Sequence, residues 1–458
     1  MVDVDKRAND NDADLPAGFK MTELGPLPEE WKVVHLSEVF VPVDKKERLV
    51  RIQAGKVYKT LTVKLYAKGI TLREEIDGAK IGTAVLYRTE PNDFVFSKID
   101  ARNGAWGFVP DELGGSLVSG DFPILQLIDT LADRDFIALC LSRPNTWEPL
   151  RDIAVGTTNR RRVQVQELLR ISIPLPPLPE QRAIAHVLRT VQRAKEATER
   201  VIQATQELKK SLMRYLFTYG PVPVEEAERV PLKETEIGLV PEHWEVVKLE
   251  NCLSLIRNGI SKKQNATSKT GYPVTRIETI SEDRINPDKV GYIDNLTPTE
   301  VEKFRLRPGD ILFSHINSEP QIGRSVIYEG WPSTLLHGMN LLLLRTNSNT
   351  IPYWLNYLFM HYRAIGIFIK IAARAVNQSS INQSKMKSLP IPLPPLPEQH
   401  EIARILQAVD KKLQAEEARK QALEALFKTL LNNLMTGKIR VKDVVLPNVG
   451  EGKGDVTH

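Results

Sequence analysis

The stretch IPLPPLPEQ at Ile173–Gln181 occurs a second time, residue for residue, at Ile391–Gln399. Each copy leads into 38 residues that contain neither glycine nor proline, Glu180–Phe217 and Glu398–Met435. Because glycine and proline interrupt helices, their absence favours one continuous helix after each copy. Such a helix is about 57 Å long at a rise of 1.5 Å per residue. The repeated phrase therefore predicts two long helices in corresponding positions of the chain.

Apolar and small residues of both predicted helices recur in alternating steps of three and four, which is typical of a coiled-coil seam. The first seam consists of Ile184, Val187, Val191, Ala194, Thr198, Val201, Thr205, Leu208, Leu212 and Tyr215. The second is clear at Ile402, Ile405 and Val409 and again at Leu423, Leu426 and Leu430. Because a lone helix of this kind is marginal in water, the two helices are predicted to pack on each other.

Proline dominates the nine-residue phrase itself. Pro174, Pro176, Pro177 and Pro179 are expected to stay outside the helix and to keep the chain extended. Proline-rich segments also serve as ligands for other proteins. Each phrase lies tightly between a folded region and a helix, however, which favours a rigid elbow over a ligand segment.

A second pair of matching segments lies upstream of the phrases. Thr22–Leu36 reads TELGPLPEEWKVVHL, and Thr235–Leu249 reads TEIGLVPEHWEVVKL. Between these frames the two halves are unlike, apart from a faint echo of PNDFVFSKID at Pro91–Asp100 in PGDILFSHIN at Pro308–Asn317. The chain is therefore predicted to be a duplicated domain. Similar frames indicate a common attachment, whereas different interiors indicate that two different things are recognised.

Both interiors have the pattern of α/β or α+β domains. Thr60–Gln126 alternates short runs rich in β-branched and aromatic residues with turns at glycine, aspartate and asparagine. A helical pattern follows and is interrupted at Pro144. The second interior has similar strand patterns before a helical stretch at Ile351–Arg374.

Composition limits the class of protein. The 458 residues are 42% hydrophobic, which is enough for folded cores, and their net charge of +5 permits a polyanionic partner. Two cysteines are too few for a disulfide framework and fit a reducing compartment. The polar, acidic start is unlike a signal peptide, and no apolar run is long enough to span a membrane, so a cytoplasmic location is expected.

No catalytic motif stands out. The sequence has no GxxxxGK[ST] phosphate loop, no HExxH pair and no Cys/His cluster for a metal. It also lacks the Asn/Asp-Pro-Pro-aromatic run with which amino-methyltransferases hold a flipped base. Its carboxylates form no pairing specific enough to be catalytic. A binding protein with no catalytic and no metal site is therefore favoured over an enzyme.

Each interior ends in a basic, polar loop, Val155–Glu167 in the first half and Ala373–Lys387 in the second. No acidic residue occurs between Glu329 and Glu398. Lysine and arginine neutralise phosphates, whereas arginine, asparagine and glutamine pair with base edges. A solvated surface loop is the alternative for either loop alone, but two loops at corresponding places favour a DNA-binding surface.

The predicted DNA contacts come from these loops and from the two echo segments with the residues that follow them. In the first half they are Lys98, Arg102, Asn159, Arg160, Arg161, Arg162 and Gln164. In the second half they are His315, Asn317, Arg374, Asn377, Gln378, Asn382, Gln383, Lys385 and Lys387.

With these motifs the sequence resembles the specificity subunit of Type I restriction–modification systems. The likeness runs from Thr22 to about Lys438 and rests on the doubled opening segments, the doubled PLPEQ phrase and the unlike interiors. It implies two globular target recognition domains, at about Lys32–Arg170 and Glu245–Ser388, each reading one half of a gapped DNA target. It also implies that two long antiparallel coiled-coil helices join these domains with pseudo-two-fold symmetry.

The resemblance implies partners as well. The helices would set the gap and dock two modification subunits, which bind S-adenosylmethionine and methylate adenine in double-stranded DNA. Restriction subunits would cut DNA with ATP and Mg, and no cofactor is expected in this chain. The polar middle of the second helix, at Lys412, Glu416 and Arg419, departs from an ideal seam and would face a partner subunit.

The predicted organisation follows from these boundaries. It is a disordered tail at 1–20, a first target recognition domain at 21–172, an elbow and central spacer helix at 173–220, a linker and second recognition domain at 221–390, an elbow and C-terminal spacer helix at 391–438, and a tail at 439–458. Two alternatives stay open: an assembly scaffold whose domains bind protein rather than DNA, and an enzyme whose site carries no recognised motif. The target bases cannot be read from residue types.

Overall fold

The computed structural model describes residues 15–153, 162–265, 270–281, 284–375 and 378–441, without the side chains of Ile153, Arg374, Ala375 and Gln378. The chain forms two compact units. Unit 1 comprises Met1–Ala197 together with Arg419–His458, and unit 2 comprises Thr198–Ala418. Both long helices are therefore divided between the units, whereas the predicted domain boundaries lay at the ends of the helices.

Unit 1 is built mainly from antiparallel strands. They are β1 (Phe19–Thr22), β2 (Gly25–Pro28), β3 (Lys32–His35), β4 (Phe40–Pro42), β5 (Leu49–Arg51), β6 (Val57–Val63), β7 (Ile70–Asp77), β8 (Val85–Arg88), β9 (Phe94–Phe96), β10 (Trp106–Phe108), β11 (Leu117–Val118), β12 (Ile124–Leu127) and β13 (Ser172–Leu175). One sheet has the order β10-β9-β12-β4, and a second has the order β5-β8-β11-β6-β7, in which β11 and β6 are parallel.

The short helices of unit 1 come before β4 and after β12 in the chain. They are α1 (Leu36–Val39), α2 (Arg134–Leu141), α3 (Pro144–Trp147), α4 (Leu150–Ile153) and α5 (Val165–Leu169), and the long helix α6 (Leu178–Tyr219) follows. Pro144 is the first residue of α3, so the interruption predicted there is confirmed. Proline suits this position because the first amide of a helix has no partner within it.

Unit 2 is also rich in strands. They are β14 (Leu232–Thr235), β15 (Gly238–Pro241), β16 (Glu245–Lys248), β17 (Leu253–Asn258), β18 (Tyr272–Thr275), β19 (Ile280–Ser281), β20 (Arg284–Ile285), β21 (Val290–Ile293), β22 (Ile311–Phe313), β23 (Ile316–Asn317), β24 (Ser325–Ile327), β25 (Leu342–Thr346), β26 (Ala373–Ala375), β27 (Gln378–Ser380) and β28 (Pro390–Leu393). A four-stranded sheet has the order β17-β25-β22-β24, and a three-stranded sheet has the order β23-β27-β26.

The helices of unit 2 follow its sheets. They are α7 (Pro298–Phe304), α8 (Pro352–Ala364), α9 (Ile367–Ile371), α10 (Gln383–Lys387) and the long helix α11 (Leu396–Leu434). Gly366 separates α8 from α9 in a left-handed conformation that glycine adopts at little cost. Strands and helices together give the mixed α+β class that the sequence predicted.

Each unit has its own main core. In unit 1, Phe94 of β9 lies in one buried cluster with Phe136 of α2 and Leu188 of α6. In unit 2, Phe313 of β22 lies in another cluster with Trp354 of α8. Segments of both long helices contribute side chains to each cluster. The helices are therefore part of the folded units and not separate rods.

The long helices begin earlier than predicted. Helix α6 starts at Leu178 and α11 at Leu396, so Pro179 and Pro397 lie in the first turn. The prediction that Pro179 stays outside the helix is therefore wrong. The first turn tolerates proline because its amide would be unpaired anyway and its fixed φ matches that of a helix.

Within unit 1 the segments of α6 and α11 run antiparallel. Lys195 pairs with Glu424 at 3.5 Å, while Arg440, beyond the end of α11, pairs with Glu180 at 2.8 Å near the start of α6. Arg440 belongs to the stretch predicted to be a tail, and this ion pair instead ties it to unit 1. The antiparallel arrangement implied by the family resemblance is confirmed here.

Unit 2 shows the same arrangement. Lys209 of α6 pairs with Asp410 of α11 at 2.6 Å. Gly220, just after α6, lies against the carboxylate of Glu398 near the start of α11. The helix segments in unit 2 are therefore antiparallel as well.

The seam between the helices is less regular than the sequence predicted. Val201 and Leu208 are 40% and 53% exposed, although the step of three and four placed them in the seam. Glu416 was predicted to face a partner subunit, but it is 6% exposed and pairs with Lys412 at 2.6 Å. The expectation of a regular seam is therefore wrong at Val201 and Leu208, because the apolar cores of the units hold the helix ends. The expectation of a partner contact is wrong for Glu416 alone, since Lys412 and Arg419 are exposed.

The proline phrase is extended as predicted and is also a paired strand. Ile173 and Pro174 of β13 pair with Val34 and Val33 of β3 in an antiparallel register. In unit 2 the identical residues of β28 pair with β16 in the same way. The opening segment and the proline phrase, far apart in sequence, therefore form one two-stranded sheet in each unit.

A tryptophan of each opening segment is tied to the phrase by its indole. The indole N–H of Trp31 donates to Glu180 at 3.0 Å, and that of Trp244 donates to Glu398 at 2.9 Å. Both indoles are fully buried. In each unit the repeated Trp is therefore the donor, and the repeated Glu the acceptor, of an equivalent hydrogen bond.

The final glutamine of the phrase makes three hydrogen bonds while fully buried. The side-chain amide of Gln181 donates to the carbonyls of Pro176 and Leu131 at 2.8 and 3.2 Å, and its oxygen accepts from the amide of Asp133 at 2.8 Å. Asp133 caps the start of α2. The equivalent groups in unit 2 are Gln399, Pro394, Asn349 and Ile351. Each glutamine therefore fastens a long helix to a domain helix.

The start of the chain is ordered earlier than predicted. Phe19 and Lys20 belong to β1, which pairs with β2. The sequence placed both residues in a disordered tail at 1–20, and the strand corrects that boundary.

Candidate nucleic-acid interface

The two basic loops are anchored at equivalent positions in their units. The amide of Val163 donates to the carbonyl of Lys98 at 2.8 Å, and the amide of Ile381 donates to the carbonyl of His315 at 2.8 Å. Lys98 and His315 are equivalent residues of the two echo segments. The structure thus joins, in each unit, two segments that the sequence proposed separately as DNA contacts.

A short helix follows each junction. The amide of Gln164, before α5, donates to Glu167 at 2.6 Å, and the side-chain oxygen of Asn382, before α10, accepts from the amide of Lys385 at 2.8 Å. Such local bonds satisfy amides that have no partner within the helix. Gln164 and Asn382 are exposed. Both predicted contacts therefore stand at the start of a surface helix beside the junction.

A buried aspartate of each echo segment holds an arginine. Asp310 accepts two bonds from Arg345 at 2.7 and 2.8 Å and one from the amide of Arg307 at 2.7 Å. Asp93 lies 3.8 Å from Arg48, and burial raises the pKa of its carboxyl. Arg345 is therefore neutralised inside the fold by an acid from outside the acid-free stretch. That stretch carries less surface charge than its sequence suggested.

In unit 1 a cluster of cations surrounds one carboxylate. Arg162 makes two bonds of 3.3 Å to Asp121, and Lys45 donates to the carbonyl of Gly120 at 2.8 Å. The pKa of Lys45 is lowered, first by burial and then by the positive charge of Lys98. Three cations near one acid leave the cluster positive, which suits a phosphate. Lys45 was not among the predicted contacts because it is far from the basic loop along the chain.

Arg102 lies in a short turn that also contacts α4. Its carbonyl accepts from the guanidinium of Arg151 at 3.4 Å, and that guanidinium stands 5.2 Å from the ring centre of Trp147. Arg151 lies in α4, shortly before the first basic loop in the chain. It is a further cation at this surface that was not among the predicted DNA contacts.

The contacts predicted in the second echo segment are less accessible. His315 is buried, and burial lowers the pKa of its imidazole, so it is neutral near pH 7. The side chain of Asn317 donates to Ser314 at 3.1 Å and accepts from the amide of Ser318 at 2.9 Å. These bonds shape the turn. They favour a positioning role for both residues over a direct phosphate contact.

The predicted contacts in the second loop lie on and around α10. The side chain of Gln383 donates to Asn258 at 3.1 Å, and the ammonium of Lys385 donates to the carbonyl of Ile371 at 2.8 Å. Lys385 is exposed and Lys387 is half-buried. The structure therefore keeps two cations on one short surface helix.

Four predicted contacts, Asn159, Arg160, Arg161 and Asn377, lie outside the described residues. The backbones of Arg374 and Gln378 lie in β26 and β27, but their side chains are not described. Because β27 pairs with both β26 and β23, the second loop forms one small sheet with the echo segment that contains Asn317.

Within the described ranges, no group of three or more His, Cys, Asp or Glu side chains is placed to hold a metal ion. None of the described helices combines the length and the apolar character needed to cross a membrane. What the two surfaces present is positive charge and hydrogen-bonding side chains on short, well-packed elements.

Comparison with known proteins gives a consistent result. The family model of the Type I restriction modification DNA specificity domain matches the chain twice, over residues 28–209 and 241–425. Over 221 residues the chain is 51% identical to a candidate type I restriction enzyme MjaX specificity subunit of Methanocaldococcus jannaschii, covering 48% of this chain and 52% of that protein. Over 239 residues it is 28% identical to the type I restriction enzyme EcoKI specificity subunit of Escherichia coli, covering 51% and 49%. The chain thus spans about half the length of these curated relatives.

Two solved structures share the fold. One is the S subunit of a Type I restriction–modification system from M. genitalium, with a TM-score of 0.54, 14% identity and coverage of 88% of this chain and 96% of that one. The other comes from a study of complex assembly and conformational transition of the type I R-M system, with a TM-score of 0.53, 19% identity and coverage of 90% and 99%. At such low identity the likeness concerns the fold alone.

Proposed function

Because this chain belongs to the Type I restriction modification DNA specificity family, we propose that it is the sequence-specific DNA-binding subunit of a Type I restriction–modification complex. Each unit reads one half of a bipartite, gapped duplex target. The observation that carries the proposal is the pair of equivalent junctions, Lys98 with Val163 and His315 with Ile381. Beside these junctions the two units expose unlike side chains at equivalent positions, Gln164 and Asn382. A common framework with different contacts fits two different half-sites.

The surface chemistry divides into two roles. The cations of unit 1 around Asp121 and those of α10 in unit 2 suit phosphates, which position the protein on the duplex. Arginine, asparagine and glutamine side chains in the loops suit base edges, which carry the sequence information. A target read in this way is bound with an affinity that falls steeply as salt rises.

The chemistry of modification and cleavage is assigned to other chains. Two modification subunits would bring S-adenosylmethionine and methylate adenine, and restriction subunits would bring ATP and Mg. This chain would hold no cofactor and act without a catalytic group of its own. The naming of its relatives as specificity subunits supports that division.

The proposal is tested by mapping methylated adenines in host genomes with and without this gene. We expect methylation at two unlike half-sites with a fixed gap, and we expect it to vanish on deletion. Binding of the target duplex by the purified complex should weaken steeply with salt.

Methylation that persists without the gene would refute the specificity role, and methyl transfer by the chain alone would show that it is an enzyme. If the chain were only an assembly scaffold, it would not determine which sequences are methylated, and the complex would show no salt-dependent binding to the target duplex.

A further inference from the structure

We propose that the hairpin loop Lys64–Gly69 between β6 and β7 is a further DNA-contacting element of unit 1. In this proposal Tyr66 makes a nonionic contact in the groove, and Lys64 and Lys68 pair with flanking phosphates. The proposal rests on the proposed function, because it adds a contact to the same DNA interface. The loop lies outside both basic loops and both echo segments.

The backbone of this loop is held in a conformation that its residues rarely adopt. Tyr66 and Ala67 have φ values of 60° and 52°, in the left-handed region that favours glycine. The amide of Tyr66 donates to the carbonyl of Asn103 at 2.8 Å, and the amide of Ala67 donates to that of Gly104 at 2.7 Å. Strained backbone of this kind is concentrated at functional sites, where surrounding bonds maintain it.

The loop is attached to the candidate DNA surface. Asn103 and Gly104 directly follow Arg102, a predicted DNA contact. A Cβ added to Gly104 would lie 3.1 Å from the ring of Trp147 and 3.3 Å from the amide of Ala67, so the loop, the turn and Trp147 are closely packed there. Trp147 also lies beneath the guanidinium of Arg151. The loop, the Arg102 turn and α4 therefore form one continuous surface.

The side chains of the loop suit DNA, which carries phosphates and also offers apolar surface in its grooves. Tyr66 is 57% exposed and its neighbour Leu65 is also exposed. One edge of the Tyr66 ring packs near Trp147, with ring centres 6.0 Å apart, and the rest of the ring is open to a ligand. Lys64 and Lys68 are exposed, and the loop contains no acidic residue. An aromatic ring with a hydroxyl can pack on sugars or bases and still donate a hydrogen bond. Because the loop is already fixed, ordering it on DNA costs little.

The first test measures binding of the target duplex by the full chain in complex with its modification subunits. Tyr66→Ala should weaken binding about fivefold to tenfold without changing the salt slope, because an aromatic contact releases no counterions. Tyr66→Phe should keep most of the affinity. Replacing Lys64 and Lys68 together with alanine should lower the salt slope by about two. Val57→Ala, at the far end of the same hairpin and also exposed, is the matched control.

The second test asks directly whether the loop touches DNA. A photoreactive p-benzoylphenylalanine at position 66 should cross-link to labelled target duplex, whereas the same residue at position 57 should not. This readout does not depend on a change in affinity, so it stays informative if Tyr66→Ala folds poorly.

The two proposals fail in different ways. If the unaltered complex binds no duplex with salt-dependent affinity, the proposed function fails. If the unaltered complex binds its target but Tyr66→Ala binds equally well and position 66 forms no cross-link, the loop proposal is wrong and the proposed function stands. A cross-link at position 66 together with weaker binding by Tyr66→Ala supports both.

Discussion

Single buried side chains explain why the framing motifs occur twice. The indole N–H of Trp31 donates to Glu180. The side chain of Gln181 makes three hydrogen bonds that join the proline phrase to the start of α2. A buried polar group left without a partner costs about 1–3 kcal/mol, so such residues resist replacement. The repeated Trp and the repeated PEQ therefore belong to one hydrogen-bonded joint in each unit, which in unit 1 consists of Trp31, Glu180 and Gln181 with their partners. Its chemistry could not be inferred from the motifs alone, because the partners are distant in sequence.

The first prediction concerns this joint. Gln181→Ala should lower the free energy of unfolding of unit 1 by roughly 3 kcal/mol, because it leaves the half-buried amide of Asp133 and the buried carbonyl of Pro176 without that partner. Gln192→Ala, in the same helix, removes only an exposed bond to Glu196 and should cost less than about 0.5 kcal/mol. The free energies of unfolding of both variants would be measured by urea titration, with hydrogen exchange of amides in unit 1 as the probe. Equal losses in the two variants would show that the joint does not stabilise the unit.

The second prediction concerns pH. His337 is fully buried, and its Nε2 must carry the proton because it donates to the carbonyl of Leu341 at 2.9 Å. Burial lowers the pKa of this imidazole to about 4, with the charge of Arg257 adding to the effect. Since the unfolded chain then binds more protons below about pH 6.5, the stability that His337 contributes is lost as the pH falls from about 6.5 towards 4.

A substitution isolates this effect. His337→Gln keeps a donor for Leu341 and does not titrate, so it should reduce the dependence of stability on pH by up to about 1.4 kcal/mol per pH unit in that window. Hydrogen exchange of the β22 and β25 amides between pH 7 and pH 4.5 would measure it. His400→Gln, exposed on α11, is the control. An unchanged pH dependence in His337→Gln would mean that another group governs acid stability.

At the scale of elements, local patterns were predictive and distant pairings were not. The absence of glycine and proline located α6 and α11 to within about two residues at each end, because helix formation depends on neighbours in sequence. The pairing of β3 with β13 joins residues far apart, and no local pattern reveals it. The same holds for the exposure of Val201, which follows from the packing of the units and not from the heptad step.

The candidate site shows the same division. The two basic loops were selected by residue type, but Lys45, Arg151 and Tyr66 reach the surface only through the fold. Conversely, His315 was selected by its place in the echo segment and is buried. Residue type thus located the loops, while burial and pairing decided which side chains are free to act.

The third prediction compares the two basic loops. Replacing Arg160, Arg161 and Arg162 with alanine, or Lys385 and Lys387, should weaken DNA binding. It should also lower the salt slope by roughly one for each phosphate that the variant no longer neutralises. The reduction should be less than three for the arginines, because Arg162 is already paired with Asp121. If the loops instead read bases, one half-site should relax while the other stays strict.

Salt titration of binding, together with methylation mapping, would distinguish these outcomes. Arg404→Ala removes an exposed cation that is paired with Glu401 on α11, so it should leave the DNA affinity and the salt slope unchanged. Loop variants that behave like Arg404→Ala would mean that both loops are merely solvated.

At the scale of the whole molecule, the duplication extends further than the sequence revealed. The amide of Leu36 donates to Ile171 at 2.9 Å, and the amide of Leu249 donates to Leu389 at 2.8 Å. These bonds attach the unlike interiors to the frames at equivalent positions, and the Lys98 and His315 junctions are equivalent contacts within the interiors. The interiors diverged in the strands between the attachments, where their sequences share little. Equivalent attachments should make the interiors interchangeable.

The fourth prediction tests this interchange. Replacing Glu245–Ser388 with a copy of Lys32–Arg170 leaves Trp244, the second proline phrase and both long helices in place. The copied strand β3 should pair with β28, because β28 and β13 share the sequence IPL and β3 already pairs with it in unit 1. The side-chain oxygen of Gln399 should accept a hydrogen bond from the amide of the copied Asp133, as that of Gln181 does in unit 1. The hybrid chain should therefore fold and assemble.

Both ends of such a chain would carry the same reader. The pseudo-two-fold arrangement that the family resemblance implies predicts that the methylated target becomes an inverted repeat of the first half-site. The gap should be nearly unchanged because the long helices are untouched. Methylation sequencing of cells that hold the hybrid and its modification subunits would show it, and the unaltered chain in the same cells is the control. A folded, active hybrid that still methylated the original asymmetric target would contradict the model of two independent readers, because no second reader would then be present to select its half-site.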